Sequence, residues 1–281
     1  MRARLLLLTS LILAGCGTTP KPAEPFRIKS ALEAESEGAK RYGRGDYALA
    51  ARRFGEAVRI YASIDDSTGA ARNRLHLARS ELALGRNDAA LNVLATAERD
   101  GAAGLALESL LLKAQAQLAL DRGDAAQQSL AAAAGHCANA CPQAATLNLL
   151  QARAALAARR VADALTHAEA ALKLLQGKDE AHETGNAWRL IAAARLSAGD
   201  AAGALPAAHA ALDIDRRLAL PEKIAHDWLL IGGIRERVGA SDTATAYRNA
   251  LDVANAAGLN EISMTATQAL KDIGMQKKAS P

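Results

Sequence analysis

The chain has 281 residues, 34 Lys and Arg against 30 Asp and Glu, and only 3% aromatic residues. A formal charge of +4 argues against a surface built to hold nucleic acid. The length allows a sizeable core, and with alanine dominating the apolar half of the residues that core has to be made of closely packed helices.

Residues 1–15 open with Arg2 and Arg4 ahead of the run Leu5 to Leu13, which is broken only by Thr9 and Ser10. A positive start followed by a short apolar run is the pattern of an export signal. The run is roughly half of the ~20 residues that a helix needs to span a bilayer, and no later stretch is apolar for as long without a charge, so a removable leader and a mature chain with no membrane span are expected. The sequence Leu13-Ala14-Gly15-Cys16 resembles the L-[A/S]-[G/A]-C signature of bacterial lipoprotein precursors. The resemblance implies that Cys16 takes a diacylglyceryl group as a thioether and becomes the first residue of the mature chain. The alternative is a soluble secreted protein cut near Ala14. Gly17, where an aspartate would favour the inner membrane, points to the periplasmic face of the outer membrane. Loss of Arg2 and Arg4 with the leader leaves charges almost balanced.

Residues 16–27 read as the lipidated cysteine and a tether, with Pro20, Pro22 and Pro25 and no apolar periodicity. Residues 28–275 read as helix throughout, with nothing that alternates like a strand. Turn signals recur at Gly45-Asp46, Gly85-Arg86, Gly123-Asp124, Arg159-Arg160, Gly199-Asp200 and Gly239-Ala240. A period of this size with two helices per unit is the mark of a helical solenoid, whose units bury their apolar faces only by stacking.

Within the units, the first carries Gly38, Tyr42, Gly45-Asp46-Tyr47, Ala50, Phe54 and Ala57, the second Ala78, Leu82, Gly85, Ala90, Leu94 and Ala97, and the fifth Trp188, Ala192, Leu196, Gly199-Asp200, Ala204 and Ala208. This pattern resembles the tetratricopeptide repeat. The fourth unit keeps the pattern from Ala152 to Leu172 but has Arg159 in the turn-glycine place. The third and sixth fit only with a shift of one or two residues between their helices. The resemblance implies an all-α, right-handed solenoid of about six helical hairpins, closed by a capping helix near Glu261 to Ile273, with residues 276–281 as a frayed tail.

Beyond Cys16, the cysteines are Cys137 and Cys141, a pair suited to a disulfide in an exported chain. Metal binding by His136, Cys137 and Cys141 is the competing reading, but three ligands in one short loop leave a zinc shell incomplete. The spacing is also not that of a C-x-x-C redox motif. His76, His167, His182, His209 and His226 stand singly, without a second histidine at metal-binding helical spacing. No phosphate-cradling loop is present. No catalytic residue, metal or cofactor is expected.

What the resemblance implies is a binding surface. The family's inward positions fall on Arg72, Leu75, Arg79 and Leu82, on Leu149, Arg153 and Leu156, and on Asn186, Arg189 and Leu196. Arginines among leucines suit an extended peptide, with guanidinium forks for carboxylates and leucines for side chains. The expectation is a lipid-anchored, non-enzymatic adaptor, monomeric without its lipid, that binds an envelope protein or peptide, as in pilus or secretin assembly or in the regulation of peptidoglycan enzymes. A structural spacer that self-associates through a solenoid end is the other alternative.

Overall fold

The computed structural model describes residues 25–99, 103–137 and 141–279; the leader, Cys16 and most of the tether lie outside them. Thirteen α-helices are described: α1 Phe26–Gly43, α2 Tyr47–Ser63, α3 Ser67–Ala83, α4 Asn87–Arg99, α5 Ala106–Ala119, α6 Gly123–His136, α7 Ala144–Ala157, α8 Val161–Leu175, α9 Ala181–Ser197, α10 Ala201–Arg217, α11 Pro221–Arg237, α12 Thr243–Ala256 and α13 Asn260–Ala279. A single turn of 3-10 helix, Ala103–Leu105, precedes α5. They form six antiparallel pairs followed by one more helix. Among the described residues there is no strand, and no helix long and apolar enough to cross a membrane.

All six hairpin turns have one construction. A residue in the left-handed region, at φ of 81°, 70°, 55°, 57°, 84° and 66° for Gly45, Gly85, Asp121, Arg159, Gly199 and Gly239, lets the next backbone N–H reach back to a carbonyl of the last helical turn. Asp46, Arg86, Arg122, Arg160, Asp200 and Ala240 donate in this way to Arg41, Glu81, Gln117, Ala155, Arg195 and Arg235. This closure satisfies carbonyls that a helix end otherwise leaves without partners. Where aspartate follows the glycine it can also start the next helix, as Asp200 does by accepting from the Gly203 N–H at 2.8 Å.

Three expectations change. The third turn pivots on Asp121, not on Gly123, which is already the first residue of α6. Aspartate tolerates the left-handed region better than most residues, and counted from Asp121 the small and large positions Ala126, Leu130 and Ala133 fall in the same register as Ala50, Phe54 and Ala57 counted from Gly45. The third unit therefore needs no shift; the sixth does, because Tyr247 and Ala250 stand one residue early when counted from Gly239. Finally, α13 runs through Ala279, past the expected end at Ile273, because no proline or turn-forming pair interrupts the sequence there.

Helices approach closely where the sequence is smallest. A methyl group on Gly38 would lie 2.8 Å from the Phe54 ring, and one on Gly232 would overlap the ring of Tyr247, so each glycine is the socket for the aromatic residue of its partner helix. Alanines fill the same seam elsewhere: Ala78, Ala114, Ala152 and Ala192 are fully buried. The core is a chain of separate clusters between neighbouring units, the largest spanning α7 to α12 around Ile191, Leu212, Ile231 and Ile234. The odd-numbered helices also touch one another in sequence, α1 to α3 and on to α13, whereas the even-numbered helices make no comparable contact. The odd helices are thus the inner layer of the curved stack, and their faces line its groove.

Candidate interaction groove

The inward residues can be compared by counting back from the left-handed turn residue of each unit. Ten residues back stand Glu35, Leu75, Leu111, Leu149, Arg189 and Leu229. Leu75 is 1% exposed and Leu149 is 7% exposed, so neither lines the groove. The reason is the contact between successive inner helices: this position points along the stack and is covered by its neighbours, Leu75 within the cluster that includes Leu94 and Leu112, Leu149 within the one that includes Leu175 and Ala187.

Where that position is charged, it is paired inside the protein. Glu35 on α1 accepts Arg72 in a two-pronged contact, Nε to Oε1 at 2.9 Å and Nη2 to Oε2 at 3.0 Å, with Asn73 Nδ2 at 3.1 Å and Tyr61 Oη at 2.9 Å completing its shell. Burial alone would raise the Glu35 pKa, but these hydrogen bonds outweigh it and hold the carboxyl below its ordinary range. Arg189 on α9 bridges Asp215 of α10 and Asp227 of α11, both fully buried, with Nε 2.6 Å from Asp227 Oδ1. Burial, helped by the charge of Asp215 and opposed by Arg189, pushes Asp227 up to about 6. Asn186 Oδ1 accepts from both Arg189 and Lys223, and burial brings Lys223 down to about 8.

Arg79 is paired as well, its guanidinium 3.1 Å from Glu108 of α5. Three of the four expected groove arginines, Arg72, Arg79 and Arg189, therefore act as ties between neighbouring units. The carboxylates that hold them, Glu35, Glu108, Asp215 and Asp227, were missed by sequence reasoning. A signal for two of these ties was available: Glu35 precedes Arg72 by 37 residues and Arg189 precedes Asp227 by 38, one repeat in each case.

Arg153 differs. It projects from α7 with its side chain exposed, and among the described residues no carboxylate or hydrogen-bond acceptor meets it; crowding by the surrounding helices lowers its pKa but does not cover it. Three residues before the left-handed turn residue of the second to fifth units stand Leu82, Leu118, Leu156 and Leu196, all half-buried, an apolar ladder across four successive inner helices that ends at Tyr42 on α1 and Glu236 on α11.

The other candidates do not assemble into a chemical site. Cys137 and Cys141 are joined in a disulfide with Cα atoms 5.0 Å apart, which leaves no thiolates for a metal at His136. Among the described residues no three His, Cys, Asp or Glu side chains converge as metal ligands. His76 stacks on Phe54 with ring centroids 5.0 Å apart, and His167 faces Asn148 at 3.2 Å. Burial lowers the pKa of His76, His209 and His226.

No known protein family matches the chain by sequence, and no curated protein does. Solved structures do match in three dimensions. A Rap protein complexed with Competence and Sporulation Factor superposes with a TM-score of 0.70 at 14% identity, over 89% of this chain and 73% of the other. The fold is a tetratricopeptide-like solenoid. Aspartyl phosphate phosphatase F from Bacillus subtilis aligns over 96% of this chain and 86% of its own at a TM-score of 0.58 and 13% identity. The APC/C hetero-tetramer Cut9–Hcn1 aligns over 87% of this chain and 43% of its own, at 0.65 and 17%. At these identities the likeness is one of fold, and the residues that the solenoid displays have to be argued from this chain alone.

Proposed function

We propose that this solenoid is a non-enzymatic adaptor, held by a lipid on Cys16 at the periplasmic face of the outer membrane, whose inner groove binds a segment of another envelope protein. The observation that carries the reading is the leucine ladder: Leu82, Leu118, Leu156 and Leu196 lie on four successive inner helices, each with one side against the core and the rest open to the groove, so that together they offer a continuous apolar strip to a partner. The fold supports the reading by analogy, since stacked helical hairpins provide long concave surfaces suited to extended ligands. The Rap structure, which holds Competence and Sporulation Factor, is a case of a similar solenoid solved with a partner. Pilus or secretin assembly is the pathway we place first for such an adaptor.

The test uses a photoreactive side chain at one of two exposed positions, Gln115 on the inner helix α5 or Arg52 on the outer helix α2. A discrete envelope protein captured from Gln115 and not from Arg52 is the expected result. Capture equally from both, or from neither, removes the groove reading. Cys16→Ser is expected to release the protein from membranes, and retention of that variant would remove the lipid anchor.

A further inference from the structure

The middle of the groove differs from its two ends in the way its charges are matched. Arg79 and Arg153 occupy the same place on α3 and α7, six residues before the left-handed turn residue. Thirteen residues before the corresponding residue of the next unit, Arg79 meets Glu108, at 3.1 Å. The equivalent place on α9, the next inner helix after α7, is Asn186. An amide there brings no charge, and its oxygen already accepts from Arg189 and Lys223. Arg153 thus lacks the carboxylate that its counterpart Arg79 meets. Neighbouring inner positions do not restore it: Gln115 on α5 and Ala193 on α9 stand at the level of Arg153, and the uncharged Thr146 lies two turns before it on α7. Leu118 and Leu196 flank it on the helices to either side, and Leu156 is one turn along its own.

We propose that Arg153 receives an aspartate or glutamate side chain from the interior of an extended partner segment, whose apolar residues on both sides of that acid lie over Leu118 and Leu196. This rests on the groove-binding reading above. Charge complementarity selects an acidic partner, since an exposed guanidinium that no carboxylate of the described residues meets is free to offer an incoming carboxylate a two-pronged contact. The apolar ladder selects an internal acid over a chain-terminal carboxylate: leucines continue past Arg153 in both directions, and a segment ending at Arg153 would leave one side uncovered. Spacing gives the register. Packed helices lie about 8–10 Å apart and an extended chain advances about 3.3 Å per residue, so the apolar residues fall about two or three positions before and after the acid.

The test is selection from a phage-displayed random decapeptide library on the full chain in detergent, with R153Q and R153E carried in parallel and equal helix content and melting confirmed for all three. The expected outcome is enrichment of an internal Asp or Glu with apolar residues two or three places to either side, loss of the acid preference on R153Q, and a preference for Lys or Arg on R153E. A selected peptide with its acid changed to the amide should bind the wild-type protein about tenfold or more weakly. Enrichment without an acid, an acid only at the last residue, or an acid preference that survives R153Q overturns the proposal and leaves the adaptor reading standing. Failure to enrich any peptide also overturns it. The adaptor reading falls only if the photoreactive side chain at Gln115 is silent as well.

Discussion

Replacing Arg189 by glutamine would leave Asp215 and Asp227, both with no exposed surface, without the one guanidinium that bridges them. Removing one member of a buried ionic group costs about 3–5 kcal/mol, because the remaining charges stay buried. For a chain of this size that corresponds to a fall of roughly 6–20 °C in Tm at about 2–4 °C per kcal/mol. The loss should be local, since stability in a stacked solenoid is a sum of unit and interface contributions. Hydrogen exchange should quicken in α9, α10 and α11 before it does in α1 to α4. Acidity supplies a second signature. Asp227 already has a folded pKa of about 6, above the ordinary 3.8, so its contribution to stability is fully present below the unfolded value and is lost as pH rises through about 6. Without Arg189 the Asp227 carboxyl loses the partner that holds its pKa down, so it keeps its proton to higher pH and the deficit of the variant should be larger near pH 7.5 than near pH 5. Circular-dichroism melts at the two pH values make the measurement. A variant that melts within 2 °C of wild type, or with the same deficit at both, would refute the account. Arg189→Met combined with Asp215→Leu and Asp227→Leu should recover most of the loss, because the charges are then removed together.

Gly232→Ala drives a methyl group into the Tyr247 ring and should cost about 1–3 kcal/mol by urea denaturation, a penalty that Tyr247→Ala relieves within a double-mutant cycle. Arg159→Gly puts glycine at φ 57° and should stabilise the protein by about 0.5–1 kcal/mol, with no change at the neighbouring units. Any destabilisation there would contradict the turn assignment. Cys137→Ser with Cys141→Ser opens a loop with a sequence separation of 4, so the variant should keep its helix content and lose no more than about 2 kcal/mol. Cooperative loss of the whole solenoid would show that the disulfide has a larger role.

Fold and groove were legible in the sequence to different degrees, and the reason is the range of the interactions. A hairpin turn is closed by a few adjacent residues, so Gly45, Gly85, Gly199 and Gly239 announced the period directly. Asp121 hid the third turn because an aspartate in the left-handed region looks like any polar loop residue, and Gly123 two places on was the stronger signal. Small residues at Gly38, Ala78 and Ala192, with Phe54 and Leu94 to fill the gaps, similarly encode the approach of two neighbouring helices. By itself, then, the sequence determined the number of units, their register in all but the third, and the layer that each helix joins. Only the tertiary structure decided which inward side chains are free. Leu75 and Leu149 stand where a single hairpin would leave them open, but the next inner helix covers them. Arg72, Arg79 and Arg189 are matched by acids on other helices, up to 38 residues away, and Arg153 is not. Pairing across a stack depends on which residues meet from adjacent units, a property of the assembled curve that no local pattern contains.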